Sequence, residues 1–321
     1  MKIIKNIIAI IAMSFLIITL FSTQASAEKK IGILTFSKES RYVEAAKGFK
    51  DSLREAGIKE PKVKFFIEDA GASKALALEL VQKLAAEKVD LIFTLGTSAT
   101  VMATPEIKDI PIVFSIVYNP IEAGIAKDWK SSGNNTTGTS TIIDMSYILN
   151  SLTTFAPVKR IAVLYTPGEK NSESQLKDLQ KIQVNYKIEI IPVILINKED
   201  IPQMLPNVLR TTDALYITGS NMINSQVSLI VDMATKSKVI TITHLEDLVE
   251  KGVLLGVCAD SYLLGRLAGG KAVKILKGAK PASIPIGVTK KFNIILNMKT
   301  AKAGHFQITS QYKKTITKII Q

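Results

Sequence analysis

The sequence predicts an α/β fold of two doubly wound parallel-sheet lobes joined by a multi-strand hinge. Three observations predict it. Short β-type runs alternate with amphipathic helical runs along nearly the whole chain, which is the pattern of repeated β-α units. The alternation restarts after the turn-rich run Gly133-Asn134-Asn135-Thr136-Thr137-Gly138. Without residues 1–27, which read as a leader, the 321-residue chain keeps 294 residues, more than one core usually supports.

In the first half, residues 31–36 read as a strand. Residues 42–56 follow as a helix with Val43, Ala46, Phe49 and Leu53 on one face and Gly57 as its stop. A strand over 63–67 and a helix over 73–87, capped by Ser73, come next. The apolar strands 91–95 and 112–116 each run into small or polar residues, and a helix is expected after each. In the second half, strands are expected over 160–165, 188–194, 214–218 and 239–243. Helices are expected over 144–154, 176–182, 201–209 and 225–235. A late unit follows, with a strand over 253–257 and a helix over 262–277 closed by Gly278 and Pro281. A last strand covers 292–296. A βα unit after two complete lobes implies that the chain crosses back. One lobe is then 28–139 plus about 260–283, and the other is 140–259 plus about 284–321.

The leader has Lys2 and Lys5, an apolar run over 7–21 and an Ala25-Ser26-Ala27 exit, the three parts of a secretory signal peptide. The run is shorter than the roughly 20 residues of a spanning helix, and an uncleaved anchor is the competing reading. Cleavage starts the mature chain at Glu28 in the periplasm. No cysteine stands at the exit to carry a lipid. Cys258 is the only cysteine, so neither an internal disulfide nor a thiolate metal site can form. It lies in an apolar strand pattern and reads as a buried, inert thiol.

The formal net charge is +13, or +11 once the two leader lysines are gone. The lysines, such as Lys47, Lys50, Lys74, Lys83, Lys177 and Lys181, are spread along helices, and no nucleic-acid-binding motif is present. A solvated basic surface is expected, with no nucleic-acid partner.

Ligands of such sheets sit outside the carboxyl ends of the strands. Thr97 and Ser98 follow strand 91–95, where free N–H groups at a helix start can hold a carboxylate or phosphate. Asn119 and Asn221 stand at strand exits and can donate and accept. Asp260 stands between a strand and a helix at the expected hinge, placed to receive an ammonium group or to cap its helix. Phe36, Tyr42, Tyr118 and Tyr165 lie near strand exits and offer rings for a planar ligand. Trp129, His244 and His305 read as structural, without metal-ligand spacing. No nucleophile elbow, phosphate loop or dinucleotide fingerprint appears, so no catalytic residues, metal or cofactor are expected.

Gly96-Thr97-Ser98-Ala99, Ile110-Pro111-Ile112-Val113-Phe114, Gly133-Asn134-Asn135-Thr136-Thr137-Gly138 and Asp213-Ala214-Leu215-Tyr216 carry a family resemblance. So do Gly265-Arg266-Leu267-Ala268, Ile275-Leu276-Lys277-Gly278 and Asn297-Met298-Lys299-Thr300-Ala301-Lys302. With these motifs in order over nearly all of the mature chain, the sequence resembles the tryptophan/tyrosine-type ABC-transporter substrate-binding family, which has the type I periplasmic binding protein fold. The resemblance implies a monomeric bilobal protein. It would close on an amino acid or similar carboxylate-bearing solute and deliver it to permease subunits in the inner membrane. Family members usually carry Asp at the position of Asn119 and often near Asn221, so an ammonium group would rest more heavily on Asp260 here. A sensory receptor and, further off, an enzyme on the same architecture are the rival functions.

Overall fold

The structure, a computed structural model, describes residues 28–321. The leader read in residues 1–27 lies outside them. The chain begins with β1 (Lys29–Thr35), α1 (Ser40–Glu55), β2 (Val63–Asp69), α2 (Lys74–Ala86), β3 (Leu91–Leu95), α3 (Thr97–Glu106), β4 (Ile112–Val117) and β5 (Thr136–Ser140). It continues with α4 (Met145–Phe155), β6 (Arg160–Tyr165), α5 (Lys170–Tyr186), β7 (Glu189–Ile194), α6 (Asp200–Leu209) and β8 (Ala214–Ile217). Next come α7 (Asn221–Ser225), α8 (Val227–Lys236), β9 (Ile240–Thr243), α9 (Glu246–Glu250) and β10 (Leu255–Ala259). It ends with α10 (Ser261–Leu276), β11 (Gly287–Val288), β12 (Phe292–Asn297), α11 (Met298–Ala303), α12 (Ser310–Lys313) and β13 (Lys318–Ile320).

These elements form two sheets. The first has the order β2-β1-β3-β4-β5-β11 and the second β7-β6-β8-β9-β10-β12-β13. All neighbours are parallel except β10 and β12, which run antiparallel. Each sheet thus opens with the doubly wound order 2-1-3-4-5, whose switch point lies between its first and third strands. The chain passes between sheets three times: after β5, after β10 and after β11. The last passage lies between Val288 and Phe292, because Gly287 still pairs with Thr139 in the first sheet.

Central strands β3 and β4 are buried at every position, as mostly apolar runs covered on both faces should be. Two expectations fail nearby. The chain after β4 makes a turn, not a helix. Asn119 Oδ1 accepts the Ile121 and Glu122 N–H groups at 3.2 Å each, Pro120 follows, and Gly124 takes φ +74°. The run read as turn-rich leads into β5 and supplies its first three residues, and the Thr and Ser side chains of β5 are all buried. Their hydroxyls are occupied: Ser115 and Thr139 share a hydrogen bond of 2.8 Å, and Thr137 donates to Ile284 O at 2.7 Å. The helix expected over 225–235 is α8, and a short helix, α7, precedes it and ends at Ser225.

Helix α10 returns from the second sheet to pack along α1, and glycine sets that seam. A Cβ at Gly265 would overlap the Ala45 carbonyl oxygen, and one at Gly48 would overlap the Tyr262 carbonyl oxygen. Beneath the seam, Phe49 stacks on Phe93 with ring centroids 3.9 Å apart. Gly270, on the same helix, faces open space. Gly265→Ala should therefore lower stability in urea unfolding by about 1–3 kcal/mol, or more if the backbones cannot separate. Gly270→Ala should hold or gain stability by its better helix propensity. Equal effects of the two substitutions would show that the close approach does not matter.

Candidate ligand site

The two switch points face each other. Between them lies a cavity of about 20 Å³ lined by residues from both lobes. The first lobe contributes Arg41 and Tyr42 beyond β1, Thr97 and Ser98 beyond β3, Ile116 and Tyr118 at the end of β4, and Thr141 beyond β5. The second contributes Asn171 and Gln175 beyond β6, Gly219 and Asn221 beyond β8, and His244 and Leu245 beyond β9. All of them lie at carboxyl ends of strands, where this topology places ligands.

Local conformation builds the first wall. Gly96 precedes α3 with φ +94°, and a Cβ there would strike the Tyr42 hydroxyl. Glycine therefore lets the ring of Tyr42 lie against the start of α3. Thr97 Oγ1 accepts the Tyr118 N–H at 3.4 Å. Between Phe114 and Val117 the β4–β5 register shifts, and Ile116 sits at φ +56°, a strained region for a β-branched residue. The irregularity presents Ile116 and Tyr118 to the cavity, a use of bulges that recurs beside functional sites.

The second wall is a chain of amides around Gly219. Gly219 N–H donates to Gln175 Oε1 at 2.9 Å, and Asn171 Nδ2 donates to Gly219 O. The amide orientation of Gln175 turns its Nε2 toward His244 Nε2, 3.5 Å away. His244 Nε2 is then the acceptor, and its Nδ1–H donates to Tyr216 Oη at 2.9 Å. His244 is 5% exposed. Burial, reinforced by the Arg41 charge, lowers its pKa to about 3, so the ring is neutral.

The lobes touch around the cavity. Asn221 Nδ2 donates to Ser98 Oγ at 3.1 Å, and Tyr118 Oη donates to Asp178 Oδ2 at 3.1 Å. On one flank Lys177 meets Glu122 at 2.9 Å. On the other, Arg41 of α1 pairs with Asp247 of α9, Lys251 with Glu39 at 2.6 Å, and Ser40 Oγ donates to Glu250 at 3.2 Å. Arg41 and Asp247 are 5% and 2% exposed. Burial opposes the Arg41 charge, but Asp247, Tyr42 and Glu39 outweigh it and hold its pKa raised. Burial raises the pKa of Asp247 against the pull of Arg41, with the Glu39 carboxylate adding to the rise, while for Glu39 burial is outweighed by Arg41 and Lys251, which hold it lowered.

Of the expected site residues, Tyr42, Thr97, Ser98, Tyr118 and Asn221 meet in this cavity. The structure does not bring Phe36, Asn119, Tyr165 or Asp260 into it. Phe36 is buried in the first core, and Tyr165 packs against the second. Asn119 spends its Oδ1 on the turn after β4. Asp260 caps α10 through Leu263 N–H at 2.9 Å and borders a separate interlobe cavity with Glu246, Asp247 and Lys318. Arg41, Asn171, Gln175 and His244 were not singled out as ligand contacts, and His244 was read as structural. For His244 the sequence held a signal, since it directly follows the strand ending at Thr243. Among the described residues, no three His, Cys, Asp or Glu side chains gather as metal ligands, and no helix is long and apolar enough to cross a membrane.

Comparisons with known proteins agree with this geometry. The tyrosine-binding protein of Clostridioides difficile is 28% identical over 287 residues, covering 89% of this chain and 83% of its own. A Streptococcus pneumonia ABC domain solved in complex with L-Trp superposes with a TM-score of 0.86 at 26% identity, covering 92% of this chain and all of that one. A ligand-free, open structure of a Clostridium difficile substrate binding protein with adhesive properties gives 0.73 at 27% identity, covering 91% and 99%. The chain thus superposes better on the L-Trp complex than on the open form. The fold is that of the type I periplasmic binding proteins. The family described as ABC transporter substrate binding protein matches residues 30–319, and the chain belongs to it.

Proposed function

We propose that this protein is the extracytoplasmic receptor of an ABC importer, and that its ligand is an amino acid with an aromatic side chain. The observation that carries the reading is the cavity at the two facing switch points, closed by hydrogen bonds from both lobes. Its first wall is positive and hydroxyl-rich: Arg41, Thr97 and Ser98 stand at or near the start of α3 and suit a carboxylate. Tyr42, Tyr118, Ile116 and Leu245 suit a flat apolar body. The L-Trp and tyrosine relatives support the same ligand class. Export through residues 1–27, action as a monomer and delivery to inner-membrane permease subunits complete the proposal. No bond is made or broken.

A cavity of about 20 Å³ holds little more than a water molecule. An amino acid therefore enters with the lobes apart, and closure follows. A ligand that touches both walls favours the closed state by its differential affinity for that state. The Arg41–Asp247 pair belongs to closure as well, because its two charges lie on different lobes.

Folding stability also depends on pH. A free imidazole titrates near 6.5, and His244 is held near 3 by burial. Between those values the folded chain binds fewer protons at this site than the unfolded chain. The stabilising contribution is full above pH 6.5 and is lost as pH falls toward 3.

Isothermal titration should show L-tyrosine or L-tryptophan binding at micromolar Kd or tighter, on the order of 8 kcal/mol. Thr97→Val should weaken it about tenfold without unfolding the protein. Absence of heat with both amino acids would refute the ligand class. Asp247→Leu leaves Arg41 without its cross-lobe partner and should weaken ligand binding while increasing the radius of gyration in solution scattering, whereas an unchanged radius would detach the pair from closure. Between pH 7 and 5 the wild type should lose about 2 kcal/mol more stability in urea than His244→Gln. Parallel pH profiles would contradict the neutral, buried imidazole.

A further inference from the structure

The amides lining the cavity differ in what they have left to give. Gln175 is committed at both ends, its Oε1 to Gly219 N–H and its Nε2 to His244. Asn221 commits its Nδ2 to Ser98 and, at 2.7 Å, to Glu169. Asn171 commits only its Nδ2, to Gly219 O. That bond fixes the amide orientation, since a flipped Asn171 would set two carbonyl oxygens against each other. Asn171 Oδ1 is left buried and without a hydrogen-bond partner, on the wall opposite Thr97 and Ser98.

No carboxylate lines the cavity. Glu169 is engaged by Ser220 and Asn221, and Asp178 by Tyr118 and Lys181. Asp247 gives Oδ2 to Arg41, and although its Oδ1 is also buried without a partner, the residue borders the separate interlobe cavity and not this one. We propose that Asn171 Oδ1 is the acceptor that reads the ammonium group of the ligand, making Asn171 a specificity-determining residue of the second lobe. The inference rests on the amino-acid reading above. It gives the ligand a polarity, with the carboxylate on the first lobe at Thr97 and Ser98 and the ammonium on the second. A ligand so placed ties the lobes together through its two polar ends. Gly219 makes the arrangement feasible, because a Cβ there would press on the Asn171 and Gln175 amide nitrogens.

A buried acceptor rejects a ligand that cannot fill it, because the mismatched complex leaves the oxygen unpaired. The test measures Kd for L-tyrosine and L-tryptophan and for their des-amino analogues, 3-(4-hydroxyphenyl)propionate and indole-3-propionate. Wild type should prefer the amino acid by about tenfold or more. Asn171→Leu should bring the two Kd values together by losing affinity for the amino acid while keeping the analogue. Asn171→Asp should widen the preference, since a buried carboxylate left facing an analogue without an ammonium is worse still. Wild-type binding of both compounds alike, or an undiminished preference in folded Asn171→Leu, would overturn the role of Asn171 and leave the ligand class standing. If Asn171→Leu does not fold, Asn171→Asp decides: a wider preference supports the role and an unchanged one overturns it. Failure of the wild type to bind either amino acid overturns the amino-acid reading, and this inference with it.

Discussion

Arg41 and Asp247 bring opposite charges together from different lobes, and both are almost wholly removed from water. A lone charge so buried is costly, and removing its partner from a buried pair is strongly destabilising. The arrangement of the lobes therefore cannot be treated as loose docking of two bodies. With the pair formed, α1 is held against α9, the ends of β1 and β9 are brought side by side, and the walls of the cavity meet. Opening the lobes separates the charges but returns both to water, which offsets much of the loss. The pair thus penalises a half-open state more than a fully open one.

The same contact places a permanent positive charge beside His244 and beside the start of α3. Burial alone would make the imidazole neutral, and Arg41 reinforces it. The result is a site whose positive character is fixed on one wall while the other presents neutral amides and an uncharged ring. Such a division orients a small polar molecule without needing a free carboxylate on the protein.

Much of this was legible in the sequence, and the exceptions have physical causes. Strands β3 and β4 were readable because they are buried on both faces and so are apolar except for Thr94 and Ser115. Strand β5 was not, because Thr137, Thr139 and Ser140 meet the demands of burial through hydroxyl hydrogen bonds, which leaves no hydrophobic periodicity. Thr97, Ser98, Tyr42, Tyr118 and Asn221 could be placed at the candidate cavity since strand exits are visible as apolar runs that end. Arg41 was hidden because an arginine at a helix start usually stays solvated, and its partner sits on the five-residue α9, too short to show a period. Asp260 stands outside this cavity, where a carboxylate between strand and helix serves equally as a cap and the backbone N–H of Leu263 claims it. Asn171 carried no signal of its own, since only the position of Gly219, far along the chain, decides which side of its amide is spent.

The glycine seam between α1 and α10 has a consequence for how the chain is made. Residues 261–288 complete the lobe begun by residues 29–140, although the strands β6 to β10 are synthesised between the two. On the ribosome, the amino-terminal lobe stays unfinished, with the α1 groove uncovered, while most of its neighbour has already emerged. Neither half can mature as an independent unit ahead of the other. The interlacing couples them at birth, and a nascent chain stalled before Ser261 exposes a stripe of small residues with no helix to cover it.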